Sequence, residues 1–315
     1  MMNRRTAVAL GSAFLAAPAA AAAQSLAQMT LGAVPEESVT PALWAQQSGI
    51  FRRAGLDVDV QTASNGTAIA AGVAGGTYAV GKSSLVSVIT AHAKGLPFVF
   101  VAGGSLYDTK FPYSVLAAKA DSPLKNAADL NGKTLAVPAL NDLTTMATKA
   151  WVDAHGGDSA TLKLVEYPFA QIPDALAAGR VDAGFIADPI LQQALDAKKV
   201  RIFAHAFDAV ALQFMVTGWF VTADYAAKNQ AVLEKFARAM REAASYVVAH
   251  PADAVSVLAK FSKVDPDVIA KTHRIGYAPL ETKYIQPVID ICAKYKVIPA
   301  AFDAKDLIAP GLRVG

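Results

Sequence analysis

Residues 75–104 read GGTYAVGKSSLVSVITAHAKGLPFVFVAGG. Two readings compete for this stretch, and they imply different folds. Gly76, Gly81, Lys82 and Ser83 satisfy G-x-x-x-x-G-K-[ST], the pattern of a loop whose backbone N–H groups cradle phosphates. Such a loop needs a strand before its first glycine, a wrapped turn made by the four intervening residues, and a helix opening at the lysine. Here the intervening residues are Thr77, Tyr78, Ala79 and Val80, and TYAVG itself reads as a short strand. Nothing is left to wrap a phosphate. FIAD at residues 185–188 imitates an acidic strand end that assists magnesium, but apolar strands ending in Asp are common. The stretch is read instead as a turn, a short strand, a helix over SSLVSVITAHAKG and a buried strand over LPFVFVAGG.

The same alternation extends in both directions. Upstream, MTLGAV reads as a strand, PEESV as a polar loop, PALWAQQSGIF as a helix, LDVDVQ as a strand of period two, and SNGTAIAAGVAGG as a turn and a small-residue helix. The pattern restarts after residue 112: PYSVLAAKA, TLAVPA, LKLVEYP, VDAGFIAD and KVRIFAHAF as strands, with LTTMATKAWVDAHG, QIPDALAAGR and PILQQALDA as helices. GWFVTADY is one more strand, and from about Asn229 the chain turns helical. Repeated strand–helix–strand units predict an α/β architecture of mainly parallel sheets flanked by helices. Two α/β units and a helical tail follow, the second unit inserted between halves of the first.

The chain opens MMNRRTAVALGSAFLAAPAAAAAQ, a charged start, a short apolar run and an Ala21-Ala22-Ala23 ending. These are the parts of a secretory signal peptide over residues 1–23, which predicts export to the periplasm, by the general or the twin-arginine route. Its removal takes away Arg4 and Arg5, lowering the formal net charge of +3 by two. A near-neutral mature chain argues against nucleic acid as a partner. Cys292 is the single cysteine, so no intrachain disulfide or cysteine metal cluster forms. The five histidines are scattered without metal-ligand spacing, and no G-x-S-x-G elbow occurs. No catalytic residue, metal or cofactor is predicted.

Six segments in a fixed order carry a resemblance: GIFRRAGLDVDV, the turn at SNGT, AHAKGLPFVFVAG, AADLNGKTLAVP, ALAAGRVDAGFIADP and ARAMREAASYVVAHPADA. Together they resemble the substrate-binding proteins of ABC importers, in the NMT1/THI5-like group of sulfonate, taurine, nitrate and pyrimidine-precursor binders. The similarity runs from about Leu31 to about Pro299. It implies the type II periplasmic-binding-protein fold, a monomer of two lobes joined by two crossing strands near residues 105–113 and 206–218. Lobe 1 is then 29–110 plus 219–315 and lobe 2 is 111–218. It also implies a small-molecule ligand held between the lobes and an ABC permease as partner. Enzymatic relatives that build a pyrimidine carry a cysteine-rich motif absent from this chain, which disfavours that role. A ligand-presenting sensor subunit is the other alternative.

In parallel α/β sheets ligands sit beyond the carboxyl ends of strands, where helix N-termini offer unpaired N–H groups. On the first lobe the candidates are Ser38, Thr40, Gly66, Thr67, Lys82, Ser83 and Ser84. Lys82, Ser83 and Ser84 together are read as an anion-holding corner. Thr40, before Pro41, stands equally as a plain helix cap. On the second lobe they are Asn141, itself a candidate cap, Thr144 and Asp188, whose position the resemblance matches to a polar ligand contact. Tyr107 and Gln213 lie near the expected crossings, as residues that close over the ligand or as solvated hinge residues.

Overall fold

The computed structural model describes residues 25–188, 190–271 and 275–312. The expected signal peptide, residues 1–23, lies outside the described residues.

Its strands, in chain order, are β1 (Ala27–Ala33), β2 (Leu56–Thr62), β3 (Val80–Ser84), β4 (Phe98–Gly103), β5 (Ser105–Asp108), β6 (Ser114–Lys119) and β7 (Thr134–Val137). There follow β8 (Lys163–Glu166), β9 (Ala183–Ala187), β10 (Val200–Ala204), β11 (Gln213–Met215), β12 (Thr217–Thr222) and β13 (Gly276–Tyr277). They form two five-stranded sheets, in orders β2-β1-β3-β12-β4 and β10-β6-β9-β7-β8, and a small sheet β11-β5-β13. Read from its β8 edge, the second sheet repeats the order of the first: in each, the strand reached by a crossing connection lies between the last two of the other four. β12 runs antiparallel to both of its neighbours, and so does β6. Four of five strands in each large sheet therefore share one direction, and the strand that enters from the other half is the reversed one. The fold is the mixed α/β, two-lobed architecture that the strand–helix alternation and the resemblance imply.

The crossing strands β5 and β11 pair antiparallel, Tyr107 opposite Phe214. At their base the hydroxyls of Ser105 and Thr217 lie 2.8 Å apart, and the Ser105 N–H donates to Thr217 Oγ1 at 3.0 Å. A buried polar pair at this point satisfies groups that the passage between lobes would otherwise orphan.

The helices cover the sheets with apolar faces. Helix Gln230–Ala249 buries Leu233, Phe236, Ala237, Met240 and Ala243, and Phe236 stacks on Phe51 with centroids 5.8 Å apart. Among the described residues no helix is long and apolar enough to cross a membrane.

The stretch that opened the sequence reading is shifted by three residues. Strand β3 covers Val80–Ser84, so Gly81, Lys82 and Ser83 lie inside a buried strand paired with β1 and β12. Ser84 caps the helix Leu85–Ala93. Tyr78 is spent covering Gly32 and Gly72, where a Cβ would come within 2.5 Å of its ring. Lys82 thus stands two residues short of the helix cap, in extended backbone. A phosphate loop is excluded on that geometry.

Candidate functional site

The carboxyl ends of β1 and β3 in the first sheet and of β7 and β9 in the second carry most of the predicted residues. At the end of β3, Lys82 is fully packed among side chains, with 1 % of its side chain accessible against 49 % for its partner Glu36. The Lys82 ammonium binds Glu36 Oε1, and the Ser38 hydroxyl donates to the same oxygen at 2.9 Å. A buried ammonium without a counter-ion is costly, and Glu36 removes that cost. Desolvation by surrounding protein would raise the Glu36 carboxyl. The Lys82 charge and hydrogen bond, with Ser38, outweigh it and hold the group below its ordinary range. Lys82 is therefore not the free cation of the anion-holding corner; its charge is balanced within the protein.

Glu36 itself escaped the sequence reading, which left PEESV as a polar loop. The available signal was an acidic residue three positions past the end of β1, beside a strand end carrying a lysine. Ser83, 7 % exposed, faces the start of helix Gly66–Ala74. A Cβ at Gly66 would lie 2.9 Å from Ser83 Oγ, so glycine permits this close approach. Asn65 caps that helix by accepting the Ala68 N–H at 2.9 Å, and Gly66 and Thr67 form its first turn. Ser84 accepts the Ser87 N–H at 3.2 Å and meets the Ser87 hydroxyl at 2.8 Å. Its lone pairs are engaged at home.

Thr40 is not the N-cap of helix Thr40–Gln47. Val39 holds that place, and the Thr40 hydroxyl donates to the Glu37 carbonyl at 2.6 Å from a buried position. Asn141 is not a cap either. Asp142 takes the role, accepting the Thr145 N–H at 3.1 Å and the Thr144 hydroxyl at 2.6 Å. Asn141 is left exposed beside them. Burial pushes the Asp142 carboxyl up, and the Glu166 charge adds to it, against the hydrogen bonds from Thr144 and Thr145. Asp188 stands at the end of β9, its N–H donating to the Tyr113 carbonyl at 2.9 Å.

Tyr113 joins the two ends. It directly precedes β6, and burial pushes its phenol up, with the nearby Glu36 charge adding to the effect. Tyr113 thus accepts from the backbone of Asp188 and feels the charge of Glu36.

The two candidates near the crossing both have partners within the protein. Tyr107 is not solvated: it is wholly buried, 5.1 Å between centroids from Phe207 and from Phe214. Its hydroxyl donates to Asp208 at 2.7 Å. Gln213 is exposed, but its amide is committed across the crossing strands to Asp108 at 2.6 Å. Both residues fasten the connection. A cavity of about 780 Å³ between helix Gln230–Ala249 and residues 276–281 is lined by none of these residues.

A family model described as NMT1/THI5 like matches residues 36–254. The chain belongs to this family. Among relatives, it is 23% identical over 259 residues to the 4-amino-5-hydroxymethyl-2-methylpyrimidine phosphate synthase THI13 of Saccharomyces cerevisiae, covering 76% of this chain and 72% of that protein. It is 30% identical over 139 residues to the formylaminopyrimidine-binding protein of Halalkalibacterium halodurans, covering 44% of this chain. That match spans only 40% of the relative's length. Among solved structures, the periplasmic aliphatic sulphonate binding protein SsuA from Escherichia coli superimposes with a TM-score of 0.76 at 21% identity, covering 91% of this chain and 99% of that one. The periplasmic nitrate-binding protein NrtA from Synechocystis gives 0.69 at 14% identity, covering 91% and 86%. At these identities the likeness is one of fold.

Proposed function

We propose that the chain is the solute-binding component of an ABC importer, exported to the periplasm through residues 1–23 and acting as a monomer. Lobes 29–110 plus 219–315 and 111–218 close on one small organic solute, and an inner-membrane permease recognises the closed form. The observation that carries this reading is the pair of like-ordered sheets joined by short crossing strands. Polar residues gather at the strand ends of both sheets, and Tyr113, whose carbonyl accepts the Asp188 N–H, feels the Glu36 charge. A site divided between two bodies couples binding to closure, because the solute has more partners in the closed state. The sulphonate- and nitrate-binding neighbours and the formylaminopyrimidine-binding relative support a role in solute capture.

The yeast relatives, named as synthases over 76% of this chain, favour a second reading as an enzyme of pyrimidine chemistry. Against it, Cys292 is buried and its thiol is pushed up to about 12, which removes it as a nucleophile. A thermal-shift screen of the mature chain against a solute library tests the main reading. A solute at 100 times its dissociation constant adds about 2.7 kcal/mol, or about 4–5 °C for a chain of this size. Absence of any shift across the library contradicts solute binding. Conversion of a bound pyrimidine to a new product favours the second reading.

A further inference from the structure

We propose that the cavity along helix Gln230–Ala249 is a second binding site, which takes an amphipathic organic anion: an elongated apolar body carrying one carboxylate-like head. The inference goes beyond solute capture at the strand ends and does not depend on it.

The first ground is place and shape. The cavity, about 780 Å³, falls within the ~300–1,000 Å³ of pockets that hold small organic ligands. Glu234, Ala237, Arg241, Ala244 and Val248 line it at steps of three, four, three and four, which is one face of the helix. At 1.5 Å per residue that face runs for about 21 Å, so the space is long rather than round. Residues 276–281 form the facing wall, and β4 with Trp219 of β12 forms the floor. No residue of the second five-stranded sheet lines it, so it stands apart from the paired strand ends that carry the candidate solute site.

The second ground is the apolar lining. Val101, Ala102, Trp219, Met240 and Leu280 are buried apolar side chains on its inner side, while Val248 is left exposed at one end. An apolar body gains by leaving water for such a surface. Trp219 is wholly buried, and its indole N–H has no hydrogen-bond partner among the described residues. Buried indoles ordinarily find an acceptor, and an oxygen on the occupant's body would supply one.

The third ground is charge. Arg238 and Arg241, three apart on the lining face, are exposed and make no ion pair among the described residues. The carboxylates of the lining are engaged: Glu281 binds the Lys283 ammonium at 2.6 Å, and Glu234 accepts the Gln230 amide at 3.1 Å. Glu234 also lies about 10 Å along the helix axis from Arg241. Two unengaged guanidiniums beside an apolar groove present forked donors that match a carboxylate head.

Calorimetry on the mature chain tests this with three probes: octanoate, octanol, which lacks the charge, and acetate, which lacks the apolar body. Octanoate is expected to bind at one site at least tenfold more tightly than octanol, and acetate to give no binding. Arg238→Gln with Arg241→Gln alters surface side chains without partners. It is expected to weaken octanoate tenfold or more while leaving the melting temperature of the free chain unchanged. Ala244→Phe fills the cavity from the helix face and is expected to abolish octanoate binding. Octanoate that does not bind, binds no better than octanol, or binds the arginine variant as tightly as wild type overturns the inference. Binding that falls in the arginine variant but persists in Ala244→Phe places the anion outside the cavity and also overturns it. Each of these failures leaves the solute-binding reading standing, because a solute found by thermal shift is measured without octanoate.

Discussion

Lys82 and Glu36 lie 46 positions apart in the chain, yet the burial of one depends on the other. Lys82→Met removes the charge and leaves Glu36 with only Ser38. Because Glu36 is half exposed, water offsets part of the loss, and destabilisation of about 1–2 kcal/mol is expected rather than the ~3–5 of a fully buried pair. Urea unfolding at neutral pH measures it. The pH dependence has a definite sign. The folded Glu36 carboxyl is held below its ordinary value of 4.5, so the pair's contribution is complete above that pH and fades as pH falls through the folded value. The stability gap between wild type and Lys82→Met is therefore expected to close on the acid side, and a gap that widens below pH 4.5 contradicts the pairing. Lys82 stood out in the sequence because a phosphate-loop pattern drew attention to it. Glu36 did not, because a counter-ion supplied by a neighbouring strand leaves no local trace. The partners of Tyr107 and Gln213 were hidden for the same reason: position near a crossing says nothing of Asp208 and Asp108, which hold them.

Elements were far more legible than partners. Period-two runs such as LDVDVQ and the glycine-closed helix LTTMATKAWVDAHG carry their own signals, and the structure has strand Leu56–Thr62 and helix Leu143–Ala154 there. The caps expected at Thr40 and Asn141 were each mislaid by one residue; Asn141 and Asp142 offer the same chemistry and only the chain's path chooses between them. Ser84→Ala removes the cap of Leu85–Ala93 and is expected to cost about 1 kcal/mol, read as a lower urea midpoint with an unchanged slope. β5, β11 and β13, of two to four residues, are too short to show a period. The end of β4 makes a stronger demand. A Cβ at Gly103 would lie 1.9 Å from the Ala278 carbonyl oxygen, a backbone atom that cannot swing aside. Gly103→Ala is expected to destabilise by about 2–3 kcal/mol or more, and a variant as stable as wild type would show that residues 276–281 do not pack against β4 as described.

At the scale of the molecule, the alternation of strands and helices made an α/β fold legible, and the six ordered segments made the two-lobed form legible. The reversed directions of β6 and β12 were not, since strand direction depends on which lobe the chain has just left. The proposed carrier role requires motion between those lobes around a site to which both contribute. Small-angle scattering of the mature chain, with and without a solute that raises its melting temperature, tests this most directly. Closure around the solute predicts a smaller radius of gyration at saturation. An unchanged radius, with calorimetry confirming that the site is filled, would contradict a solute held between two closing lobes.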